Sequence, residues 1–329
     1  MQTPSEQQPG AECGVRSDAP HRSIFENYQT EEVGQASQPD TDCGVRSSIS
    51  KQLAGAARST GRKDACPTEM LKTSSGTAIA RSFLYRFIAK AFEDAELEGW
   101  QSLCKAAQQA AFWSAVRARA EAAPLTLESA ARRLLGHLKP DGYTAFESDY
   151  ITCFGHTVRG DCPMNEIEYG DIKADPLFQP HRLADLGAFY AAFGLEIGND
   201  AAERQDHISI ELEFMSVLAA KEAYALAYKF DDEPVTLVRN AQKKFLREHL
   251  GRWTPAFTRR LSRIAGDGAL GALADFTREF ITAECARLNV MPGSEDLLLR
   301  PIDDSLETLC ASCGIMGLPP GATSAPVET

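Results

Sequence analysis

Apolar residues recur three and four positions apart through most of the chain from Thr77 onward. This spacing places them on one face of an α-helix. The first such stripe consists of Ala80, Phe83, Leu84, Phe87, Ile88 and Ala91. No stretch alternates with the period of two that marks a half-buried β-strand. The sequence therefore predicts an all-α protein built as a single helical-bundle domain.

Further helices are predicted from the same spacing and from glycine and proline residues at their ends. The predicted segments are 97–121, 126–138, 143–154, 182–193, 206–228, 234–250, 255–264 and 270–288. Between 156 and 180 lies a long connection that contains several glycines and prolines. Because irregular segments of this length are uncommon inside compact domains, the connection is a candidate functional region.

The two ends of the chain differ from this helical part. Residues 1–75 are rich in Gln, Ser, Thr, Gly and Pro, so they are predicted to form a disordered polar extension. A Cys-Gly-Val-Arg-Ser motif occurs there twice, at 13–17 and 43–47, either as a docking motif or as the remnant of a duplication. The helical domain is predicted to span 76–290, and a tail with a Cys-x-x-Cys motif to span 291–329.

Composition excludes several classes of protein. The 46 acidic and 34 basic residues give a net charge of −12, which disfavours nucleic acid as a partner. No apolar run of about 18 residues is present, so no membrane span is expected. The polar first ten residues are unlike a secretory signal, and nine scattered cysteines are unlike a disulfide framework. We therefore expect a cytoplasmic protein, and we expect no cofactor.

The densest polar cluster lies at 203–207, immediately before a predicted helix. Asp206 can cap that helix, and His207 and Glu211 are one turn apart and close enough to pair. One interpretation is a helix cap with a surface ion pair. The other is a recognition patch for a cationic peptide group, made pH-sensitive by His207.

Other candidate residues carry weaker signals. Glu166 and Glu168 in the long connection are interpreted as solvated loop carboxylates rather than as an acid–base pair. Cys310 and Cys313 have the spacing of a metal or redox pair, but unpaired tail cysteines are the alternative. The sequence lacks a phosphate-binding loop, a nucleophile elbow and a His-Glu-x-x-His motif. We therefore predict that the chain is not an enzyme.

Several segments, in this order, carry a family resemblance. They are LYRFIAKAF at 84–92, ESDYITCFG at 147–155, CPMNEIEYG at 162–170, LADLGAFYAAFGL at 183–195, DHI at 206–208 and ELEFM at 211–215. Together they resemble the TorD/DmsD/NarJ family of molybdoenzyme maturation chaperones. The resemblance covers roughly residues 77–290 and leaves both ends of the chain outside.

The resemblance implies a cytoplasmic, all-helical chaperone. Such a protein binds the twin-arginine leader, the apo-form, or both, of a molybdenum-cofactor oxidoreductase of the DMSO reductase type, during cofactor insertion and before export. Asp206 and His207 correspond to the family's Asp-His motif, which is implicated in leader binding. Tyr85, Tyr150 and Glu211 are carried over by their positions in matching helices. The expected partners are the apo-enzyme catalytic subunit and its leader peptide, and the expected state is monomer or homodimer.

A leader with paired arginines and an apolar stretch requires an acidic mouth beside an apolar groove. Asp206, Glu211 and Glu213 can supply the mouth. The groove can come from Phe214, Met215 and Leu218, unless these three form core. An alternative function is metal or iron–sulfur delivery through Cys310 and Cys313. A nucleotide hydrolase is a third possibility, and the missing phosphate loop disfavours it.

Overall fold

The computed structural model describes residues 73–119, 125–155, 160–170, 178–198, 203–228, 230 and 232–300. These residues form ten α-helices and two single-turn 3-10 helices, at Pro140–Gly142 and Glu166–Glu168. The α-helices are α1 (Ser74–Ala91), α2 (Leu97–Cys104), α3 (Ala106–Arg119), α4 (Leu125–His137), α5 (Tyr143–Phe154), α6 (Phe178–Ala192), α7 (Ile208–Ala227), α8 (Asp232–Glu248), α9 (Leu250–Ala265) and α10 (Ala269–Arg287).

The all-α prediction is confirmed. Over the described residues the model contains no β-strand, only two isolated bridges, Asn165–His207 and Tyr169–Leu299. The most extensive helix contact runs between α1 and α7, and α9 and α10 form the next. α3 and α8 pack beside α1 and α7, and α4 packs on α10. The start of α7 therefore lies near one end of the central helix pair.

The α1 stripe demonstrates how the sequence pattern becomes packing. Thr73 begins the helix, because its side chain accepts a hydrogen bond from Gly76 N at 3.0 Å. Of the predicted stripe, Leu84, Phe87 and Ile88 are buried. Burial of three large apolar side chains contributes several kcal/mol to the free energy of folding, about 2 kcal/mol each.

The predicted helix 97–121 is wrong in one respect, because the chain breaks at Lys105 into α2 and α3. Lys105 has an extended ψ of 128°, and its carbonyl accepts from the backbone N–H of Gln108 and Gln109. The break lets Trp100 stack on Phe146 in α5, while residues of α3 pack toward α1 and α10. Tertiary packing therefore overrides a continuous helical pattern.

Pro255 does not begin a helix as predicted, but lies inside α9, which starts at Leu250. Proline lacks an N–H, so the carbonyl of Gly251 loses its helical donor. That carbonyl accepts instead from Gly293 N at 2.9 Å. The missing helical bond is thus replaced by one from the segment that follows α10.

The start of α6 also differs from the prediction. α6 begins at Phe178 and not at 182, with Pro180 in its first turn, where no helical N–H is needed. Beyond α10, Gly170 N donates to Leu298 O and Arg300 N donates to Glu168 O, both at 2.9 Å. Residues 293–300 are therefore hydrogen-bonded to the helical domain. The division at 290 stays a prediction.

Some predicted features lie outside the described residues. They are the polar extension as far as residue 72, both copies of the Cys-Gly-Val-Arg-Ser motif, and the pair Cys310 and Cys313. Residues 73–75, which the prediction included in the extension, are the cap and the first two residues of α1.

Candidate functional site

Part of the long connection lies directly against the start of α7. Glu166 N donates to Asp206 O at 2.9 Å, and Ile208 N donates to Met164 O at 2.9 Å. These bonds bring together side chains that are far apart in sequence. We call Glu166, Arg204, Asp206, His207 and Glu211 the α7 junction.

Asp206 is completely buried, and its carboxylate is fully bonded. Oδ1 accepts from Asn165 Nδ2 at 3.2 Å and from Arg204 Nε at 2.5 Å. Oδ2 accepts from Ile167 N at 3.2 Å and from Arg204 Nη2 at 3.0 Å. Asp206 therefore fixes the loop to the start of α7 through charge-assisted hydrogen bonds.

The prediction that Asp206 caps α7 is wrong, because the cap is His207. His207 Nδ1 accepts from Ser209 N at 3.3 Å and lies 2.7 Å from Ser209 Oγ. The Asp206 carboxylate instead bonds the loop. The cap has moved by one residue because the helix begins at Ile208 rather than at His207.

The His207 imidazole is buried and incompletely bonded. Burial lowers its pKa from 6.5 to about 4, against the opposing effect of Asp206. The ring is therefore neutral near pH 7, which contradicts the expectation of a switch close to the ordinary histidine pKa. Since Nδ1 accepts, the proton lies on Nε2. Nε2 has no hydrogen-bond partner and lies 3.6 Å from Glu203 Oε2.

Glu211 does not pair with His207 as predicted. Its Oε2 accepts from Trp253 Nε1 of α9 at 3.2 Å, and its Oε1 is buried without a hydrogen-bond partner. Burial, together with the charges of Glu166 and Asp206, raises the Glu211 pKa well above its usual range. The ionised form of Glu211, which lies beside two other carboxyl groups, is therefore disfavoured.

Glu166 is not a solvated loop carboxylate, so that interpretation is wrong. Its carboxylate is completely buried and contacts three cationic or titratable side chains. His249 Nδ1 lies at 2.9 Å, Arg252 Nη2 at 3.1 Å and Arg182 Nη1 at 3.4 Å. Glu168 is also buried. The same Arg252 donates to Tyr169 O at 3.2 Å, which fixes the end of the loop.

The two tyrosines predicted to bind a client lie in different places. Tyr150 on α5 is buried, and its hydroxyl approaches Met164 Sδ at 4.0 Å, so it contacts the loop of the α7 junction. Tyr85 on α1 is also buried, but its hydroxyl donates to Glu284 Oε2 on α10 at 3.2 Å. The structure therefore places Tyr150 against the loop that Asp206 fixes and Tyr85 in a second cluster.

This second cluster is an ion-pair network in the middle of the bundle. Arg81 Nε donates to Glu284 at 2.8 Å, and Arg81 Nη1 donates to Glu222 at 2.7 Å. Arg119 also bonds Glu284. Burial alone raises the pKa of both carboxyls, but the surrounding arginines bring it down to about 2. We call these residues, with Tyr85, Arg239, Gln242 and Arg287, the central network.

The predicted apolar groove is absent at the residues proposed for it. Phe214, Met215 and Leu218 are completely buried. Phe214 packs edge-to-face against Tyr190 of α6 and Phe245 of α8. These three residues therefore belong to the core, which is the second of the two interpretations.

Sequence reasoning missed the partners of Glu166. His249 and Arg252 are 83 and 86 residues away along the chain, and neither carries a local motif. One signal was present for Glu211, which stands directly between the apolar residues Ile210 and Leu212. A carboxylate in such surroundings indicates burial.

No cluster of metal-ligand residues large enough for a binding site occurs among the described residues. In the same part of the chain, no helix has the length and apolar character required to cross a membrane.

The fold and the junction define an all-helical domain with buried charge at a loop–helix contact. Comparison with known proteins identifies the family. The model of the nitrate reductase delta subunit family matches residues 120–259, which include the whole α7 junction. A relative from Thauera selenatis, a selenate reductase assembly chaperone protein, is 36% identical over 146 residues, 44% of this chain and 72% of the relative. This chain belongs to the TorD/DmsD/NarJ family of reductase assembly chaperones.

Other relatives agree. The perchlorate reductase assembly chaperone protein of Dechloromonas aromatica is 30% identical over 138 residues, 42% of this chain and 59% of that protein. The chaperone protein TorD of Vibrio cholerae is 27% identical over 116 residues, 35% of this chain and 51% of that protein. No solved structure matches significantly. The prediction of a chaperone rather than an enzyme is confirmed, since the family and these relatives are assembly chaperones.

Proposed function

We propose that this chain is a cytoplasmic chaperone for a molybdenum-cofactor oxidoreductase of the DMSO reductase type. It binds the apo-form of the catalytic subunit, including its twin-arginine leader, during cofactor insertion and before export. The observation that carries the proposal is the similarity to proteins named as assembly chaperones of selenate and perchlorate reductases. The proposed partner is thus a reductase subunit.

The α7 junction supports this proposal because its chemistry suits a cationic peptide. Asp206 presents a carboxylate that already holds a guanidinium group in a two-bond fork. A client arginine can form the same fork. Two buried polar atoms at the junction, His207 Nε2 and Glu211 Oε1, lack hydrogen-bond partners. Unpaired buried polar atoms lower stability, and their presence is typical of sites that bind something.

The proposed client-binding residues are all buried. They are Asp206, His207, Glu211, Tyr85 and Tyr150. Contact with a client through them therefore requires a local opening of the junction. At Asp206 the part that must move is the side chain of Arg204, which covers the carboxylate. Tyr85 would take part only through a movement of α1.

The test is a pull-down of the full tagged chain from its native cells, with mass spectrometry of the proteins recovered. We expect a molybdoenzyme catalytic subunit with its leader intact. Asp206→Asn keeps the size of the side chain and removes its charge, and it should reduce recovery about tenfold, a loss equivalent to one good ion pair. Recovery of no reductase subunit with the wild-type chain would overturn the proposal.

The matched control is Arg259→Ala. The Arg259 side chain is 39% exposed and pairs with the exposed carboxylates of Asp296 and Glu295, away from the junction residues. Recovery of the reductase should be unchanged in this variant. Circular dichroism of both variants must show the helicity of the wild type, so that loss of binding reports on the site. Light scattering of the same samples distinguishes the predicted monomer from the homodimer.

A further inference from the structure

The guanidinium of Arg204 covers the Asp206 carboxylate. Nε lies 2.5 Å from Oδ1 and Nη2 lies 3.0 Å from Oδ2. These two bonds form the planar fork with which arginine recognises a carboxylate. Arg204 therefore occupies the Asp206 carboxylate, to which the proposed function assigns an arginine of the client.

The Asp206 carboxylate has no capacity for a second guanidinium while Arg204 is bound. Each carboxylate oxygen accepts about two hydrogen bonds. Oδ1 is used by Asn165 and Arg204, and Oδ2 by the Ile167 N–H and Arg204. The donors from Asn165 and Ile167 belong to the loop that Asp206 fixes. Arg204 is therefore the donor that a ligand can replace without dismantling the loop.

Burial identifies Arg204 as the outer partner. Its side chain is 38% exposed, whereas that of Asp206 is 0% exposed. Of these two paired groups, Arg204 is therefore the one that solvent reaches. Glu203 in the same turn and the unpartnered Nε2 of His207 lie 3.6 Å apart. These groups provide further polar contacts for an incoming peptide.

Glu166, the neighbouring buried carboxylate, behaves differently. It contacts Arg252, Arg182 and His249, so loss of one partner leaves two. Asp206 has Arg204 as the one ion-pair partner found within the described part of the chain. Replacing Arg204 with a neutral residue therefore leaves Asp206 without a cationic partner. Replacing any one partner of Glu166 leaves the other two in place.

We propose that Arg204 is a built-in competitor, and that an arginine of a client peptide binds Asp206 by displacing the Arg204 guanidinium. This inference rests on the proposed function and specifies its recognition step. It has an unusual consequence. Removing Arg204, a cation at an acidic site, strengthens the binding of arginine ligands, because the ligand no longer has to compete with a tethered guanidinium.

The test uses argininamide as the probe and the full chain with Arg204→Ala. We expect 10 mM argininamide to raise the melting temperature of this variant by about 3–6 °C, and that of the wild type by less than about 1 °C. Lysinamide has the same charge but no planar fork, so it should have little effect on either protein. Arg259→Ala is the matched control, since its side chain is 39% exposed and its partner Asp296 is 83% exposed. Argininamide should not raise the melting temperature of this control variant.

An equal shift in all three proteins would contradict the inference, because it would indicate a general effect of the amide. A lack of any argininamide effect on Arg204→Ala would overturn it as well. If Arg204→Ala does not fold, Arg204→Lys replaces it. Lysine retains the charge and loses the fork, so argininamide should still displace it and raise the melting temperature.

The outcome is separable from that of the pull-down. If the pull-down recovers a reductase but argininamide does not raise the melting temperature of Arg204→Ala, the proposed function is supported and this inference is contradicted. If argininamide raises the melting temperature of Arg204→Ala but no reductase is recovered, the guanidinium site is supported and the proposed client is contradicted. When both hold, Arg204→Ala should recover several times more reductase than the wild type at equal chain concentration.

Discussion

The central network and the α7 junction both contain buried titratable groups, but the pKa values of these groups shift for different reasons. In the central network, Glu284 contacts both Arg81 and Arg119, and the Glu222 and Glu284 pKa values fall to about 2. At the α7 junction, the Glu211 pKa is raised well above its usual range and the His207 pKa is lowered to about 4. Arginine charge therefore stabilises the ionised forms of Glu222 and Glu284, whereas burial disfavours the charged forms of Glu211 and His207.

This difference separates a structural role from a binding role. The central network joins α1, α3, α7, α8 and α10, and its carboxylates are satisfied by the chain itself. The α7 junction leaves His207 Nε2 and the carboxyl oxygen Glu211 Oε1 unsatisfied, whereas the unpartnered buried atoms of the central network, Arg119 Nε and Arg287 Nε, belong to arginines that bond through their other nitrogens. The family match at 120–259 includes the junction but neither Arg81 nor Glu284. Both observations favour the junction as the functional region.

The largest effect is expected from Arg81→Met in the central network. The change removes the charge that contacts both Glu222 and Glu284 while keeping an extended side chain. Since an uncompensated buried charge is strongly unfavourable, the free energy of unfolding should fall by about 3–5 kcal/mol. Urea unfolding followed by circular dichroism measures it. Arg259→Ala, at an exposed ion pair, should lower it by less than about 1 kcal/mol. Equal losses would refute the distinction between a buried network and surface pairs.

A smaller effect is expected from His207→Asn as the pH falls. Between pH 6.5 and about 4 the unfolded chain protonates His207 and the folded chain does not. Stability is therefore lost as the pH falls through this window, by up to about 3 kcal/mol at its lower end. Asparagine is a good helix cap and does not titrate, so the variant should lose less stability in acid. Parallel urea titrations at pH 7, 5.5 and 4.5 measure this. Identical acid sensitivity of both proteins would contradict the assignment of a neutral His207.

The third effect has the opposite sign and concerns Glu211→Gln. Its folded pKa is raised, so the folded chain binds more protons than the unfolded chain above the ordinary carboxyl pKa of 4.5. Wild-type stability is then lost as the pH rises, and the glutamine variant should gain relative to it. We expect a difference of about 1–2 kcal/mol between pH 5 and pH 7. A variant that is less stable than the wild type at pH 7 would show that Glu211 is ionised.

Periodicity predicted the helices that are continuous in the structure. The helix at 143–154 has the predicted bounds, and that at 270–288 differs by one residue at each end. The break at Lys105 and the position of Pro255 within α9 were missed. Both depend on contacts with other elements, namely the stack of Trp100 on Phe146 and the bond from Gly293 to Gly251. Such contacts leave no local periodic signal.

The site was predicted in part. The sequence placed Arg204, Asp206, His207 and Glu211 together, and the structure adds Glu166 to them. The sequence could not assign the hydrogen-bond partners within the cluster. The helix begins one residue later than predicted, so His207 is the cap in place of Asp206. Nor could the sequence separate Tyr85 from Tyr150, since their partners are 199 and 14 residues away along the chain.

The most direct test of the central claim is hydrogen–deuterium exchange of the full chain, alone and bound to the reductase subunit recovered with it. The peptides to compare are 160–170 and 203–211 at the α7 junction, and 78–88 and 280–287 in the central network. The account predicts that binding changes exchange at the junction and leaves the network peptides unchanged, because the carboxylates of the network are already bonded by the chain itself. Unchanged exchange at the junction, with protection confined to the central network, would contradict it.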